Sequence, residues 1–242
     1  MMTTARALAF LAGKILTLIV MLPVVAISPL LPFHFRYRLL YRWGRFVLWW
    51  ARVTLGLHWR VTGTENLPPA GSGRLILAKH QSTWETFFFP SLLHYPAFVL
   101  KRELLKIPVF GWGLAAIGPI AIDRAAGRKA LRDMIVQSRD ALAQGRDVVI
   151  FPEGTRQAPG TEPNYRIGGA AVAVASGRPV IPVALNSGIF WPRKGLQKHS
   201  GTIDVVIGPP IETAGRTAEE VNAETRDWIE AQVKRIGLER TP

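Results

Sequence analysis

The chain has 242 residues, of which 48% are hydrophobic, and it carries a formal net charge of +13. This length suffices for one sizeable core, and a mean hydropathy of +0.16 is high for a soluble domain but low for a polytopic membrane protein. The chain has no cysteine, which excludes disulfides, thiolate metal sites and a cysteine nucleophile.

The first 64 residues combine positive charge with tryptophan. They contain no Asp or Glu, and they hold eight of the thirteen excess positive charges and four of the eight Trp residues. The positive residues are Arg6, Lys14, Arg36, Arg38, Arg42, Arg45, Arg52 and Arg60. Cations mixed with Trp suit a membrane interface, where charges meet lipid phosphates and rings lie at headgroup depth. A basic arm for nucleic acid rarely adjoins a long apolar run, so we predict membrane lipids as partners and no nucleic acid.

Residues 15–33, ILTLIVMLPVVAISPLLPF, form an uncharged run of 19 residues. This length is near the ~20 residues needed to span a bilayer, but three prolines argue against one straight helix. Three interpretations stay open: a spanning helix, a kinked helix lying partly in one leaflet, and a signal peptide, which is the weakest of them. Residues 36–54 have the pattern of a second, amphipathic helix.

We therefore predict that residues 1–57 form a membrane-anchoring helical segment, or hairpin. If the apolar run spans the bilayer, the arginines between residues 36 and 52 place the remainder of the chain on the cytoplasmic side. The predicted location is the inner (cytoplasmic) membrane, with the domain after the hairpin facing the cytoplasm.

From residue 58 onwards, apolar segments of strand length alternate with helical patterns. The predicted strands are 58–63, 74–78, 97–100, 118–123, 147–151, 179–185 and 203–208. The predicted helices are 127–143, 166–176 and a last one that starts at a Thr217–Glu220 capping box and reaches about residue 236. This alternation predicts one α/β domain over residues 58–242, with a mostly parallel central sheet flanked by helices.

The segment KHQSTWE, residues 79–85, follows the predicted strand 74–78. Ser82 and Glu85 match the S-x-x-E capping box, with Ser82 as the helix cap and Glu85 at the third helical position. In a catalytic interpretation, Glu85 holds one imidazole nitrogen of His80, and the other nitrogen acts as a base on a substrate hydroxyl. Taken alone, the segment is explained slightly better by capping than by catalysis.

The segment FPEGTR, residues 151–156, follows another predicted strand. A turn with Gly154, the Thr155 hydroxyl and Arg156 at the carboxyl end of a strand suits an anion, which an arginine can bind bidentately. We expect Glu153 to orient Arg156 or a substrate hydroxyl. The alternative is an ordinary strand-to-loop turn with a structural ion pair.

Several segments in order make the chain resemble the glycerolipid acyltransferases, and among them the 1-acylglycerol-3-phosphate acyltransferases. These segments are HQSTWE (80–85), KREL (101–104), GW (111–112), AIDR (121–124), FPEGTR (151–156) and VIPVAL (180–185). Each segment has low specificity when taken alone, but their order and spacing together are specific over about residues 58–210. One departure is Glu85, which stands where the family's His-x4-Asp motif has Asp.

The resemblance implies a membrane-bound enzyme that acylates the sn-2 hydroxyl of lysophosphatidic acid to give phosphatidic acid. It implies His80 as the base, Glu85 as its partner, and Arg156 with Lys101 and Arg124 as the phosphate site. Backbone N–H groups near the 81–86 helix start are candidate donors to the oxyanion. The acyl donor would be acyl-CoA or acyl carrier protein, without a cofactor or metal. Two alternatives remain: the same chemistry on another lysolipid, such as a lyso-ornithine lipid, and a catalytically silent lipid-binding protein of the same fold.

Overall fold

The computed structural model describes residues 4–193, 195 and 198–238. The chain begins with a helical hairpin: α1 (Thr4–Ile27), a 3₁₀ turn (Ser28–Leu30) and α2 (Phe33–Leu55). The helices run antiparallel, because Arg6 Nε donates to the Thr54 carbonyl while Trp43 Nε1 donates to Thr17 Oγ1. The predicted hairpin is confirmed, although α1 starts well before the uncharged run and includes the first of its prolines, Pro23.

The exposed surface of α1 is apolar apart from its first turns, where Arg6 is exposed. The segment Thr4–Leu30 is long and apolar enough to cross a membrane, and the rest of the described chain buries only 11% of its most apolar window. A signal sequence shares these two properties, but here Phe10 of α1 is buried in the domain core and packs edge-on against Trp191. The hairpin is therefore part of the folded unit, and its exposed apolar surface indicates membrane association.

A seven-stranded sheet forms the centre of the molecule, in the order β1-β7-β6-β2-β5-β3-β4. The strands are β1 (Leu57–Thr62), β2 (Leu75–Ala78), β3 (Ala97–Lys101), β4 (Ile120–Ile122), β5 (Val148–Ile150), β6 (Val180–Leu185) and β7 (Gly201–Ile207). Every pair is parallel except β6–β7. The prediction of a mostly parallel α/β sheet is thus confirmed, and each predicted strand is present to within two residues at either end.

Helices cover both faces of the sheet. They are α3 (Trp84–Leu92), α4 (Phe110–Ala116), α5 (Arg128–Ala143), α6 (Gly168–Ser176), α7 (Ser187–Phe190) and α8 (Ala218–Leu238). One core joins the hairpin and α3 to the sheet, through side chains such as Leu55 and Phe88. The other joins α5, α6 and α8 to the opposite face, through side chains such as Met134 and Val221. The short helices α4 and α7 were not predicted from the sequence.

The sheet order brings the two polar motifs together. Strands β2 and β5 are parallel neighbours, with Leu75 opposite Val148 and Leu77 opposite Ile150. His80 lies just beyond the carboxyl end of β2, and Phe151 lies just beyond that of β5. Ligands of open α/β sheets bind outside the carboxyl ends of the strands, so the fold places both motifs where a site is expected.

Candidate active site

His80 is held by a carboxylate and by an aromatic ring. Its Nδ1 lies 2.7 Å from Glu85 Oε2, and its ring stacks on Phe151 with centroids 3.9 Å apart and planes 15° from parallel. A carboxylate can only accept a hydrogen bond, so Nδ1 carries the proton and Nε2 keeps its lone pair. The side chain is 16% exposed, which leaves a limited opening for a substrate.

Glu85 both caps the helix and contacts His80. Its second oxygen, Oε1, accepts from the backbone N–H of Ser82 at 2.8 Å and of Gln81 at 3.2 Å, and also from the Ser187 hydroxyl. The side chain is fully buried. Because the two oxygens face different partners, the capping and catalytic interpretations of this residue are compatible.

The start of α3 differs from the prediction in one detail. The helix begins at Trp84, so Glu85 is its second residue and not its third. Ser82 Oγ accepts from the Trp84 N–H at 2.8 Å, and Glu85 accepts in return from the Ser82 N–H. Since the N–H groups of Gln81 and Ser82 both donate to Glu85, these two are not available to an oxyanion. For the other N–H groups near this helix start, the role of oxyanion donor stays a prediction.

The expectation that Glu153 orients Arg156 or a substrate hydroxyl is wrong. Its side chain is fully buried; Oε2 accepts from the His80 backbone N–H at 2.8 Å, and Oε1 pairs with Lys79 Nζ at 2.6 Å. Burial raises the pKa of the Glu153 carboxyl, and the Lys79 charge opposes that rise. Glu153 therefore fixes the backbone next to the candidate base and does not face the substrate cavity.

Lys79 extends this arrangement to α8. Its buried ammonium also lies 2.8 Å from Glu230 Oε1, which accepts a hydrogen bond from the Tyr165 hydroxyl. The buried amine is thus matched by two carboxylates, as a charge in a protein interior requires. The sequence offered little signal for this, because Lys79 and Glu230 are 151 residues apart.

Three arginines surround the Gly154 turn. Arg124 Nη1 donates to the Gly154 carbonyl, and Arg156 Nη1 donates to Thr83 Oγ1 at 2.7 Å. Gly154 has φ of +69°, and a Cβ there would lie 3.1 Å from Arg166 Nε and 3.2 Å from Arg124 Nη1. Burial, and next the charge of Arg166, lower the pKa of Arg124. The charge of Glu103 opposes this lowering. Guanidinium groups brought this close together favour a bound anion.

Arg166 was not among the predicted site residues. The sequence pattern predicts Arg166 as the first residue of a helix of small residues, whereas α6 begins two residues later, at Gly168. Arg166 could have been identified from one pattern in the sequence, a basic residue just before a Gly-rich helix start. Such a residue is a candidate anion ligand because helix N-termini attract anions.

These groups share one cavity of about 800 Å³. His80, Lys101, Arg124, Arg156 and Arg166 line its polar side. Gly154 and Thr155 line it as well, whereas Glu153 does not. Apolar side chains from the hairpin and from α3, α4 and α5 supply the rest of the wall, among them Leu18, Met21, Leu40, Phe87, Leu114 and Met134. A mostly apolar cavity with a few convergent polar groups is typical of a binding site for an amphiphile.

In the described part of the chain, no group of three or more His, Cys, Asp or Glu side chains could hold a metal ion. The expectation that the protein works without a cofactor stays a prediction.

Comparison with known proteins shows the class of protein to which this chain belongs. The family model described as Acyltransferase matches residues 58–186, which contain both polar motifs, so the chain is an acyltransferase. A 1-acyl-sn-glycerol-3-phosphate acyltransferase of Pseudomonas aeruginosa is 44% identical over 214 residues, covering 87% of this chain and 82% of that protein. The chain belongs to the 1-acyl-sn-glycerol-3-phosphate acyltransferase family.

More distant relatives agree with this assignment. A protein of Chlamydomonas reinhardtii with the same description is 30% identical over 223 residues, covering 88% of this chain and 66% of that protein. The crystal structure of the 1-acyl-sn-glycerophosphate (LPA) acyltransferase PlsC from Thermotoga maritima has a TM-score of 0.78 and covers 96% of this chain and 95% of its own. At 23% identity, that likeness shows the shared fold.

Proposed function

We propose that this enzyme transfers a fatty acyl group from a thioester to the sn-2 hydroxyl of lysophosphatidic acid, giving phosphatidic acid. The observation that carries the proposal is the shared cavity: a carboxylate-held imidazole and three arginines line the same mostly apolar space. Relatives described as 1-acyl-sn-glycerol-3-phosphate acyltransferases support the choice of acceptor.

His80 acts as the general base in this proposal. Nε2 takes the proton of the acceptor hydroxyl as its oxygen forms a bond to the acyl carbon, and Glu85 stabilises the imidazolium. When the tetrahedral intermediate collapses, the carbon–sulfur bond breaks and the imidazolium proton passes to the leaving thiolate. General base catalysis of this kind contributes roughly 10²–10⁴-fold.

The arginines place the acceptor. Arg156, Arg124 and Arg166 converge on the Gly154 turn and would bind the phosphate, with Lys101 at the cavity wall adding a fourth positive charge. Binding at a fixed distance from His80 makes the attack effectively unimolecular, and good orientation of this kind gives very high effective molarities. A phosphate would also offset the two effects that lower the pKa of Arg124, which are burial and next the repulsion from Arg166.

Residues 1–57 would anchor the enzyme, and residues 58–242 would form its catalytic domain. The four exposed arginines of α2, at positions 38, 42, 45 and 52, favour the cytoplasmic face of the inner membrane through anionic lipid phosphates. Acyl-CoA or acyl carrier protein would supply the thioester. No cofactor enters this scheme, because the thiolate leaves without assistance from a metal.

The test is His80→Ala in the full chain, assayed for phosphatidic acid formation with lysophosphatidic acid and both thioester donors. We expect a loss of at least about 10²-fold in kcat. The matched control is His58→Ala, an exposed histidine on the edge strand β1, which should retain activity. Wild-type turnover of a lyso-ornithine lipid but not of lysophosphatidic acid would overturn the acceptor assignment, and full activity of His80→Ala would overturn the mechanism.

A further inference from the structure

The surface of α4 has its large apolar residues on the outside. Phe110 and Trp112 are 52% and 59% exposed, and Ile107 just before the helix is also exposed. The residues that face the protein are the small ones, Gly111 and Ala116. Residues two apart on a helix point to nearly opposite sides, so Phe110 and Trp112 expose two sides of this short helix. Large apolar side chains exposed on both sides indicate an apolar environment outside the protein.

This surface continues that of α1. Helix α4 lies against the end of α1, since a Cβ built on Gly113 would be 3.9 Å from Val25 Cγ2. The neighbouring residues Ile27 and Leu30 of the hairpin are also exposed, Leu30 at 86%. Val25 and Gly113 both line the substrate cavity, so the two helices form adjacent parts of its wall.

Basic residues border the exposed apolar residues of α4. Lys101, Arg102 and Lys106 are exposed in the preceding segment, with Glu103 as the one acidic side chain among residues 101–113. Exposed apolar rings with a basic border match an anionic lipid surface: the rings enter the headgroup region and the cations meet phosphates. An acidic protein partner would explain the basic residues but not the exposed indole and isoleucine.

The turn before α4 is held in an uncommon conformation. Val109 has φ of +64° and ψ of −58°, and the Phe110 N–H donates to the Pro108 carbonyl at 2.7 Å. This is the geometry of a γ-turn of the rare, strained kind, and the strain is greater for a β-branched residue. The turn starts a helix whose ring at position 110 is both exposed and part of the cavity wall.

We propose that the exposed apolar residues of α4 and of the turn before it, Ile107, Phe110 and Trp112, are a second membrane-contacting surface that enters the bilayer beside α1. The cavity between the two elements then opens at the depth of the lipid chains, so that lysolipid and product exchange with the bilayer without crossing water. This inference rests on the proposed membrane attachment of the hairpin. It adds a contact from within the catalytic domain, outside residues 1–57.

The chain has no cysteine, so single labels can test this in the full-length protein. Nitroxide labels are attached to Trp112→Cys, to Val20→Cys on the exposed side of α1, and to Val136→Cys, an equally exposed apolar position on α5. The protein is bound to vesicles of phosphatidylcholine and anionic phosphatidylglycerol. We expect the labels at 112 and 20 to be reached by oxygen and shielded from a water-soluble nickel complex, and the label at 136 to show the reverse.

The three labels separate the possible failures. If position 20 enters the bilayer and position 112 behaves like position 136, the second contact is overturned while the hairpin attachment stands. If neither 20 nor 112 enters, both are overturned.

An independent measurement is the double variant Ile107→Ser/Trp112→Ser, at positions that do not line the cavity. Its KM for lysophosphatidic acid in vesicles should rise about tenfold, with activity in detergent micelles retained and Val136→Ser unchanged in both. An unchanged KM in vesicles would contradict the proposal.

Discussion

Replacing Glu85 by glutamine separates the two roles of this buried carboxylate. Oε1 receives two backbone N–H groups and the Ser187 hydroxyl, so the carbonyl oxygen of a glutamine must take that position. Its NH₂ group then faces His80 Nδ1. Because an NH₂ group donates, Nδ1 must accept, and the ring proton moves to Nε2. The imidazole loses the lone pair that would take the proton of the hydroxyl.

The expected loss in kcat for Glu85→Gln is about 10³–10⁴-fold, similar to the ~10⁴-fold cost of a wrong tautomer in a Ser-His-Asp triad. This corresponds to about 4–5.5 kcal/mol in the activation barrier. The folded state keeps the bonds to Oε1 in weaker, uncharged form, which costs about 1–2 kcal/mol. Thermal unfolding should therefore shift by only a few degrees.

The assay combines initial rates of phosphatidic acid formation with thermal unfolding of the same preparation. The matched control is Glu220→Gln in the exposed capping box of α8, where the carboxylate accepts from Thr217 and no histidine is involved. That variant should keep full activity. A kcat of Glu85→Gln within tenfold of the wild type, in a folded protein, would refute the tautomer argument and leave Glu85 as a helix cap alone.

Three further predictions concern the groups around His80. Arg156→Lys removes the planar fork and should raise the KM for lysophosphatidic acid about 10–100-fold, with the KM for the thioester unchanged. Gly154→Ala places a Cβ at φ of +69° against two guanidinium groups, and should lower unfolding stability by about 1–2 kcal/mol and raise the same KM. Lys79→Met leaves Glu153 buried without its cation and should cost about 3–5 kcal/mol, with the loss shrinking at acid pH.

The sign of this pH effect depends on Glu153. Burial raises its pKa in the folded state, and removal of Lys79 raises it further. The contribution of Glu153 to the free energy of unfolding is therefore greatest below the pKa that this carboxyl has in the unfolded chain. It falls as the pH rises through the pKa of the folded state. Unfolding measured across acid to neutral pH checks the slope, and Lys79→Met/Glu153→Gln should recover much of the loss. A loss of stability in Lys79→Met that does not depend on pH would contradict this account. For the separate prediction on Arg156→Lys, an unchanged KM for lysophosphatidic acid would show that Arg156 is not part of the phosphate site.

Elements determined by local pattern could be predicted from the sequence. The parallel strands form continuous apolar runs because both faces are covered, and the amphipathic α2 has four of its five arginines on one exposed side. Helix α4 escaped prediction because it is seven residues long and contains no polar side chain, so no apolar–polar periodicity marks it. The antiparallel pairing of β7 with β6 also escaped prediction, since strand direction depends on the path of the connection between them and not on either strand's residues.

In the candidate site, too, some residues could be predicted from the sequence and others could not. His80, Glu85 and Arg156 lie in short motifs whose spacing carries a chemical meaning. The partners that hold them, such as Ser187 on Glu85, come from distant parts of the chain and are brought near only by the sheet order. The prediction for Glu153 is wrong for this reason: its motif neighbour Arg156 is close in sequence, but its actual partner Lys79 comes after an adjacent strand.

The ion pair between Lys79 and Glu230 has a consequence for the order in which the protein matures. During synthesis the hairpin emerges before α8, and the carboxylate on α8 is added 151 residues after the amine that it neutralises. Until α8 docks, the Lys79 amine lacks one of its two carboxylate partners, and the segment that carries His80 lacks its contact with α8. The site beside His80 is therefore expected to be completed only after the last helix has been made, later than the hairpin and the rest of the sheet.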